Sequence, residues 1–442
     1  MKGTLLLCAL CTCGGVIAWG QSTLDTIGVT ALRGQDPSLT GSGERIAQVE
    51  AANDNAGVQF EVNPGLPEQP AKLFTWRGRT ASATTFPNRV GTESNHADQV
   101  AVALYGESTG VAPHPYHVVN YEADYFYTKI IIPHMAVREP IFNQSFYIGT
   151  HDAAVDLYYD NYVAQHHTII ITSAGNSGTI LSPADCYNGI GVAAYGPSNE
   201  TASATGPSAD GRCKPDITAP AEETSFSAPL VSGAAAVLLQ AGGREGIDAT
   251  AARDPRTVKA LLLNGAVKPA GWTHTDSAPL DPNYGAGILN VFNSYTDLAA
   301  GRHAPAARVA SSSPGHPAMT TGNAAPFPQG WDYRGIQNGA TTEAVNHYLI
   351  ATTGTGALVS TLVWDKGYNA SAINNLGLFL YDHTGALVAS STSAVDNVQQ
   401  LYVTGLPPAD YDIEVVKGAG RTGTPGVVTG HETYALVWDF ER

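Results

Sequence analysis

Ile169-Ile170-Ile171-Thr172-Ser173-Ala174-Gly175-Asn176-Ser177-Gly178 is the stretch on which the reading of the chain turns. Its β-branched residues run without the apolar-polar alternation of a half-exposed strand, the pattern of a strand covered on both faces. The Gly-Asn-Ser-Gly that follows ends it in a turn. Working outward, β-rich runs at 45–50, 130–133, 141–146, 168–173 and 189–195 alternate with helical patterns at 98–105, 152–165, 227–240 and 255–264. The alternation from 41 to about 300 predicts an α/β domain, assigned to 21–300, with a three-layer arrangement around a mostly parallel central sheet.

Beyond it the pattern changes. Residues 301–329 are rich in Ala, Pro, Ser and Gly, and Pro305, Pro314, Pro317, Pro326 and Pro328 mark them as a linker. Short β-branched or aromatic runs at 347–352, 357–364, 376–381, 401–404, 411–416 and 434–440, separated by Gly and Asp turns, predict an all-β, jelly-roll-like sandwich over 330–442. Trp331, Trp364 and Trp438 are read as its core rather than as a ligand platform. Its ligand, if it has one, is left open between carbohydrate and a cell surface, with stabilisation of the first domain as the third role.

The chain has 442 residues with 23 Lys and Arg against 39 Asp and Glu, a formal charge of −16, which argues against nucleic acid as a partner. Residues 1–20 read as an export signal: Lys2, an apolar run from Leu5 to Trp19, and small residues at Ala18 and Gly20 before a cut near Gln21. The expectation is a secreted protein, extracellular or periplasmic, with no membrane span after cleavage. Cys8, Cys11 and Cys13 fall in the signal, which leaves Cys186 and Cys213. In an oxidising compartment these are expected to form a disulfide, two buried free thiols being the alternative. Oligomeric state is not legible.

Four segments carry chemistry when taken together. Thr224-Ser225-Phe226-Ser227-Ala228-Pro229 places a serine at a helix entry, where unsatisfied N–H groups favour a developing negative charge. Asn176, at the end of its strand between glycines, is placed to donate to a tetrahedral oxyanion. His96 opens another helix pattern and supplies a base that titrates near neutrality. Glu50 ends the strand 45–50, where a carboxylate can fix an imidazole tautomer. Each segment alone has a bland reading as a cap, a turn or a solvated strand end.

In this chain order (acid, histidine, asparagine, serine) they resemble the subtilisin-like serine protease family. Ser173-Ala174-Gly175-Asn176-Ser177-Gly178 is similar to its A-A-G-N-x-G, Thr224 to Pro229 to its T-S-x-A-x-P, and His96 to Ala101, with the later Gly110-Val111-Ala112-Pro113, to its histidine segment. Lys214 to Pro220, Val258 to Leu262 and Gly285 to Asn290 extend the likeness over about 28–298. The resemblance implies an endopeptidase with Ser225 as nucleophile, His96 as general base, Glu50 as orienting acid and Asn176 as oxyanion donor. It also implies polypeptide substrates bound along Ser145, Ser173, Ala174 and Gly175. No cofactor is required; structural calcium is common in the family, with no site assignable here.

Four departures stand out. Glu50 occupies the position of the family's Asp, with Asp54 as the rival acid. Glu223, beside Glu222, replaces the glycine before Thr224, and the segment from Pro220 to Thr224 is short. Only about twenty residues separate the expected cut from the first catalytic strand, so the family's inhibitory prosegment is expected to be absent. The alternatives are an inactive binder on the same fold and an acid-active peptidase of the sedolisin kind, the latter opposed by His96 and Asn176.

Overall fold

The computed structural model describes residues 21–53, 57–196, 202–306, 327–337, 344–418 and 430–440. Its larger sheet runs in the order Ile217–Pro220, Ile190–Tyr195, Ile169–Ser173, Ile141–Gln144, Arg45–Glu50, His117–Glu122, Phe74–Arg77, Ser82–Ala83. All neighbours pair parallel except the last two.

Strand periodicity sends alternate residues to opposite faces. Ile46, Val118, Ile141, Ile169 and Ile171 pack into one core with the helices Asn95–Tyr105 and Thr224–Gly242. Ala47, Val49, Val119, Tyr121, Phe142 and Ile170 enter a second core with Tyr159, Tyr162 and Val163 of the helix Ala153–His166. Burying a side chain of this kind contributes roughly 1.5–3 kcal/mol, so both faces specify the register. This is the subtilisin-like three-layer α/β arrangement expected from the sequence.

Thr224–Gly242 is apolar and long enough to cross a bilayer, yet 94% of its hydrophobic window is buried inside the protein. Gly233 lets it approach its neighbours: a Cβ there would lie 2.5 Å from the Cβ of Val111. The helix Asn95–Tyr105 starts earlier than the sequence pattern indicates because Ser94 Oγ accepts from Ala97 N at 3.3 Å.

The strand expected at 130–133 is not formed. Glu122 caps a helical segment, accepting from the Asp124 and Tyr125 amides, and the chain continues through Ala123–Phe126 into the π-helical turn Tyr127–Ile131. Ile130 and Ile131 are buried from that turn. Local capping overrides their β propensity.

The C-terminal part is a sandwich of two four-stranded antiparallel sheets. One has the order Gln329–Gln337, His431–Asp439, Gly356–Trp364, Val398–Leu406; the other Ala344–Ala351, Asp410–Lys417, Leu376–Asp382, Leu387–Ser391. Trp364 and Trp438 are buried in its core as expected, whereas Trp331 is buried at its boundary with the α/β part. Most of the expected linker, 307–326, lies outside the described residues.

The two parts share apolar packing. Trp331, Val363, Val398, Ala435 and Val437 belong to the same cluster as Leu261, Leu262 and Leu298. Polar bonds cross the same boundary: Thr361 Oγ1 donates to Asn264 Oδ1 at 3.0 Å, and Trp331 Nε1 to the Leu298 carbonyl at 3.0 Å.

The expected disulfide is corrected: Cys186 and Cys213 are free thiols. Cys186 belongs to the core beneath the helix Ala153–His166, whereas Cys213 packs against the core on the other side of the sheet. Burial raises both thiol pKa values, that of Cys213 to about 12, so neither is a ready thiolate near neutrality.

Candidate active site

The carboxyl ends of the parallel strands gather the expected residues along one edge, where open α/β sheets place their sites. Ile46, Gln48 and Glu50 share a face by strand periodicity, and that face looks at the helix Asn95–Tyr105. Glu50, 1% exposed, puts Oε2 2.9 Å from His96 Nδ1. An ionised carboxylate can only accept, so Nδ1 carries the hydrogen and Nε2 is left as the basic nitrogen.

The extra methylene of Glu50 is accommodated by a neighbour. Gln48 Nε2 donates to Glu50 Oε1 at 2.8 Å and to the Ala97 carbonyl at 2.8 Å, drawing the carboxylate back along its strand. The Tyr105 hydroxyl donates to Gln48 Oε1 and fixes the amide's orientation. Sequence reading missed Gln48 and Tyr105, which lie 57 positions apart and meet only through packing. The rival acid, Asp54, lies outside the described residues.

Burial disfavours the charged form of His96, but the charge and hydrogen bond of Glu50, with the charge of Glu223, outweigh it. The pKa is raised above the ordinary 6.5.

Ser225 is the second residue of the helix Thr224–Gly242 and is 7% exposed. Its two neighbours reach the other site residues. Thr224 donates to Asn176 Oδ1 from its amide at 3.0 Å and from Oγ1 at 2.7 Å. With that oxygen engaged, the Nδ2 donors of Asn176 are turned to the remaining side. Phe226 packs on the His96 ring at 5.7 Å between centroids.

Ser225 Oγ donates to the Ser145 carbonyl at 3.2 Å, and Ser145 Oγ donates to the Ser225 carbonyl at 2.7 Å. Asn143 continues this link: its Nδ2 donates to Ser145 Oγ at 3.1 Å, and its Oδ1 accepts from Ser232 Oγ at 2.8 Å. Among the described residues no hydrogen bond joins Ser225 to His96.

Glu223 does not need the glycine that it replaces. It caps the helix in extended conformation, φ −135° and ψ 152°, open to any residue. Gly175 is different: at φ +107° it occupies backbone space that side chains disfavour.

The expected substrate edge is only partly open. Ser145 faces Ser225 directly. Ser173 and Ala174 are fully buried, Ser173 Oγ donating to the Phe146 carbonyl at 3.2 Å, while the Ala174 and Gly175 carbonyls accept from Leu181 N and Ala204 N. These three form a wall behind Asn176.

Residues 76–287, which include His96, Asn176 and Ser225, match the model of the subtilase family. No curated protein matches the chain by sequence. Among solved structures, a serine protease of Aeromonas sobria is similar at 13% identity and TM-score 0.40, over 91% of this chain and 89% of that one. Proteases from Pseudoalteromonas arctica PAMC 21717 are similar at 15% identity and TM-score 0.40, over 61% of this chain and 93% of theirs. Tripeptidyl peptidase 2 is similar at 14% identity and TM-score 0.40; the chain spans only 40% of its length. Likeness this distant adds nothing to the family match. Residues 76–287 are thus a subtilase-family domain, and a C-terminal β-sandwich follows it.

Proposed function

We propose that the protein is a secreted serine endopeptidase in which Ser225 attacks the scissile carbonyl, His96 accepts its proton and Glu50 orients the imidazole. The observation that carries this reading is the 2.9 Å contact of Glu50 with His96 Nδ1, which leaves Nε2 as the base. A polypeptide in extended form presents a backbone N–H to the Ser145 carbonyl and displaces the Ser225 hydroxyl, which turns to His96 Nε2. The hydroxyl proton passes to Nε2 as the Oγ–C bond forms. The oxyanion accepts from Asn176 Nδ2 and the Ser225 amide. His96 returns the proton to the leaving amine as the peptide bond breaks, and water repeats the cycle on the acyl-enzyme. No step draws on a metal.

The test is covalent labelling with a fluorophosphonate. Wild type is expected to be labelled at Ser225 and Ser225→Ala to be silent; a folded wild type that takes no label would favour the peptide-binding alternative. Export is tested separately by N-terminal sequencing of secreted protein, expected to begin at Gln21.

Asn176→Ala should lower kcat by about 10²–10³ with little change in KM, since an oxyanion donor acts mainly in the transition state. An equal rise in KM instead would assign Asn176 to ground-state binding.

The raised pKa of His96 fixes the direction of the pH profile. Only neutral His96 accepts a proton, so the acidic limb of kcat/KM is expected above 6.5, the usual histidine value. Glu223→Gln removes one raising charge and should move that limb toward acid. A limb that stays put or moves alkaline would exclude Glu223 as a contributor.

A further inference from the structure

The loop after Phe146, the first turn of the helix Ala153–His166 and the turn at Ser182 bring together three side chains that the proposed hydrolytic site does not use: His151, Asp156 and Asp185. One donor atom from each lies within 4.8 Å of the others. Asp156 is 5% and Asp185 1% exposed, and His151 is about one-third exposed. His151 Nδ1 stands 2.7 Å from Asp185 Oδ2 and 3.6 Å from Asp156 Oδ2.

These contacts are not well-formed hydrogen bonds. His151 Nδ1, Asp156 Oδ1 and Asp185 Oδ2 are all buried without a hydrogen-bond partner among the described residues. Proximity without alignment is what lone pairs show when they converge on a common point rather than on a shared proton. Outer groups hold both carboxylates: Ser182 Oγ donates at 2.8 Å to Asp156 Oδ2, the oxygen 3.6 Å from His151 Nδ1, and on the side away from His151 Ser208 Oγ donates to Asp185 Oδ1, which Arg212 Nη2 also approaches at 3.5 Å. Outer donors of this kind orient carboxylate ligands around a metal. Arg212 divides its charge between Asp185 and Asp210, to which its Nε donates at 2.8 Å.

We propose that His151, Asp156 and Asp185 form a site for a borderline transition-metal ion of the zinc type. One imidazole nitrogen and two carboxylate oxygens suit a tetrahedral ion with water in the fourth position; with bonds of about 2.0–2.2 Å the donors stand roughly 3.4 Å apart, a small adjustment from the observed spacing. Calcium prefers six to eight oxygens and no nitrogen. The cluster of His347, Asp412 and Glu414 in the sandwich differs: His347 Nδ1 makes a 2.9 Å hydrogen bond to Asp412, and its pKa is pushed up to about 9, so a proton already supplies the positive charge there. A bound ion at His151 would staple the loop following Ser145 to the turn at 182–185, which are already joined by Ile148 N to the Ser182 carbonyl at 2.9 Å. The proposal does not depend on Ser225 being a nucleophile.

The experiment uses the full chain, freed of metal by dialysis against a chelator and titrated with zinc chloride by calorimetry and thermal unfolding. Wild type is expected to bind zinc with a Tm that rises with the logarithm of free zinc. His151→Ala should weaken this binding by about 10²-fold and abolish the rise, Asp185→Asn should do the same, and His347→Ala should change neither. His151 is exposed enough for its variant to fold if Asp185→Asn does not. Equal binding by wild type and His151→Ala, loss of binding in His347→Ala, or the same stabilisation by calcium in His151→Ala would each overturn the proposal.

Discussion

Glu50→Gln is expected to lower kcat/KM by about 10⁴, equivalent to roughly 5.5 kcal/mol of barrier, while leaving the fold intact. The replacement is isosteric, and its carbonyl can still accept from Gln48 Nε2, which lies 2.8 Å from Glu50 Oε1. Its amide nitrogen then faces His96 Nδ1. A donor there forces Nδ1 to accept, which moves the hydrogen to Nε2 and leaves no basic nitrogen toward Ser225. Loss of the carboxylate also removes the largest contribution that raises the His96 pKa. Steady-state kinetics on a peptide substrate, with circular dichroism as the folding control, check this. A fall of less than about tenfold would pass the orienting role to another acid, Asp54 first.

Asp216→Ala should cost about 3–5 kcal/mol of stability, the range for removing one partner of a buried ion pair. Asp216 is 2% exposed and lies between two buried ammonium groups, Lys214 Nζ at 2.5 Å and Lys259 Nζ at 2.9 Å. It also accepts from Gly191 N at 2.7 Å, tying the turn before the strand Ile217–Pro220 to its neighbour Ile190–Tyr195. Lys259 retains the Gly189 carbonyl at 2.7 Å after the substitution, but Lys214 loses its carboxylate. Urea unfolding of wild type and variant reads the difference; a loss below about 1 kcal/mol would mean that the lysines find water or shed their protons.

Burial raises the Asp216 carboxyl pKa, but the two lysines outweigh it and hold it below the ordinary 3.8. A depressed folded-state value contributes stability that is fully present above 3.8 and is lost as pH falls through the folded pKa. Neutral and mildly acidic conditions should therefore leave this contribution untouched.

Elements with undiluted patterns are legible in the sequence alone. The strand 45–50 and the helix start at Pro255 coincide with Arg45–Glu50 and Pro255–Gly265, because the Gly41-Ser42-Gly43 turn that feeds the strand and an Asp-Pro helix entry leave little choice. The strand His117–Glu122 was overlooked, since Asn120 breaks its apolar run. The fold satisfies that residue instead: Asn120 Oδ1 accepts from Val62 N at 2.9 Å. The site residues were readable as types in an order. The parts that align them were not: Gln48 with Tyr105, and Thr224 with Asn176, are pairs that only the tertiary fold creates. The cysteines misled for the same reason, because the layer on which a residue lands is a property of the assembled sheet.

The helix Pro255–Gly265 has a further consequence. It offers Lys259 to the α/β interior and Asn264 to the sandwich strand Gly356–Trp364, so one rod of backbone answers to both halves. Weakening the C-terminal strands therefore loosens the scaffold beneath the α/β half. Heat should dismantle the two halves in a single step, and clipping the sandwich away would leave a stump with a wet, greasy flank rather than a trimmed enzyme.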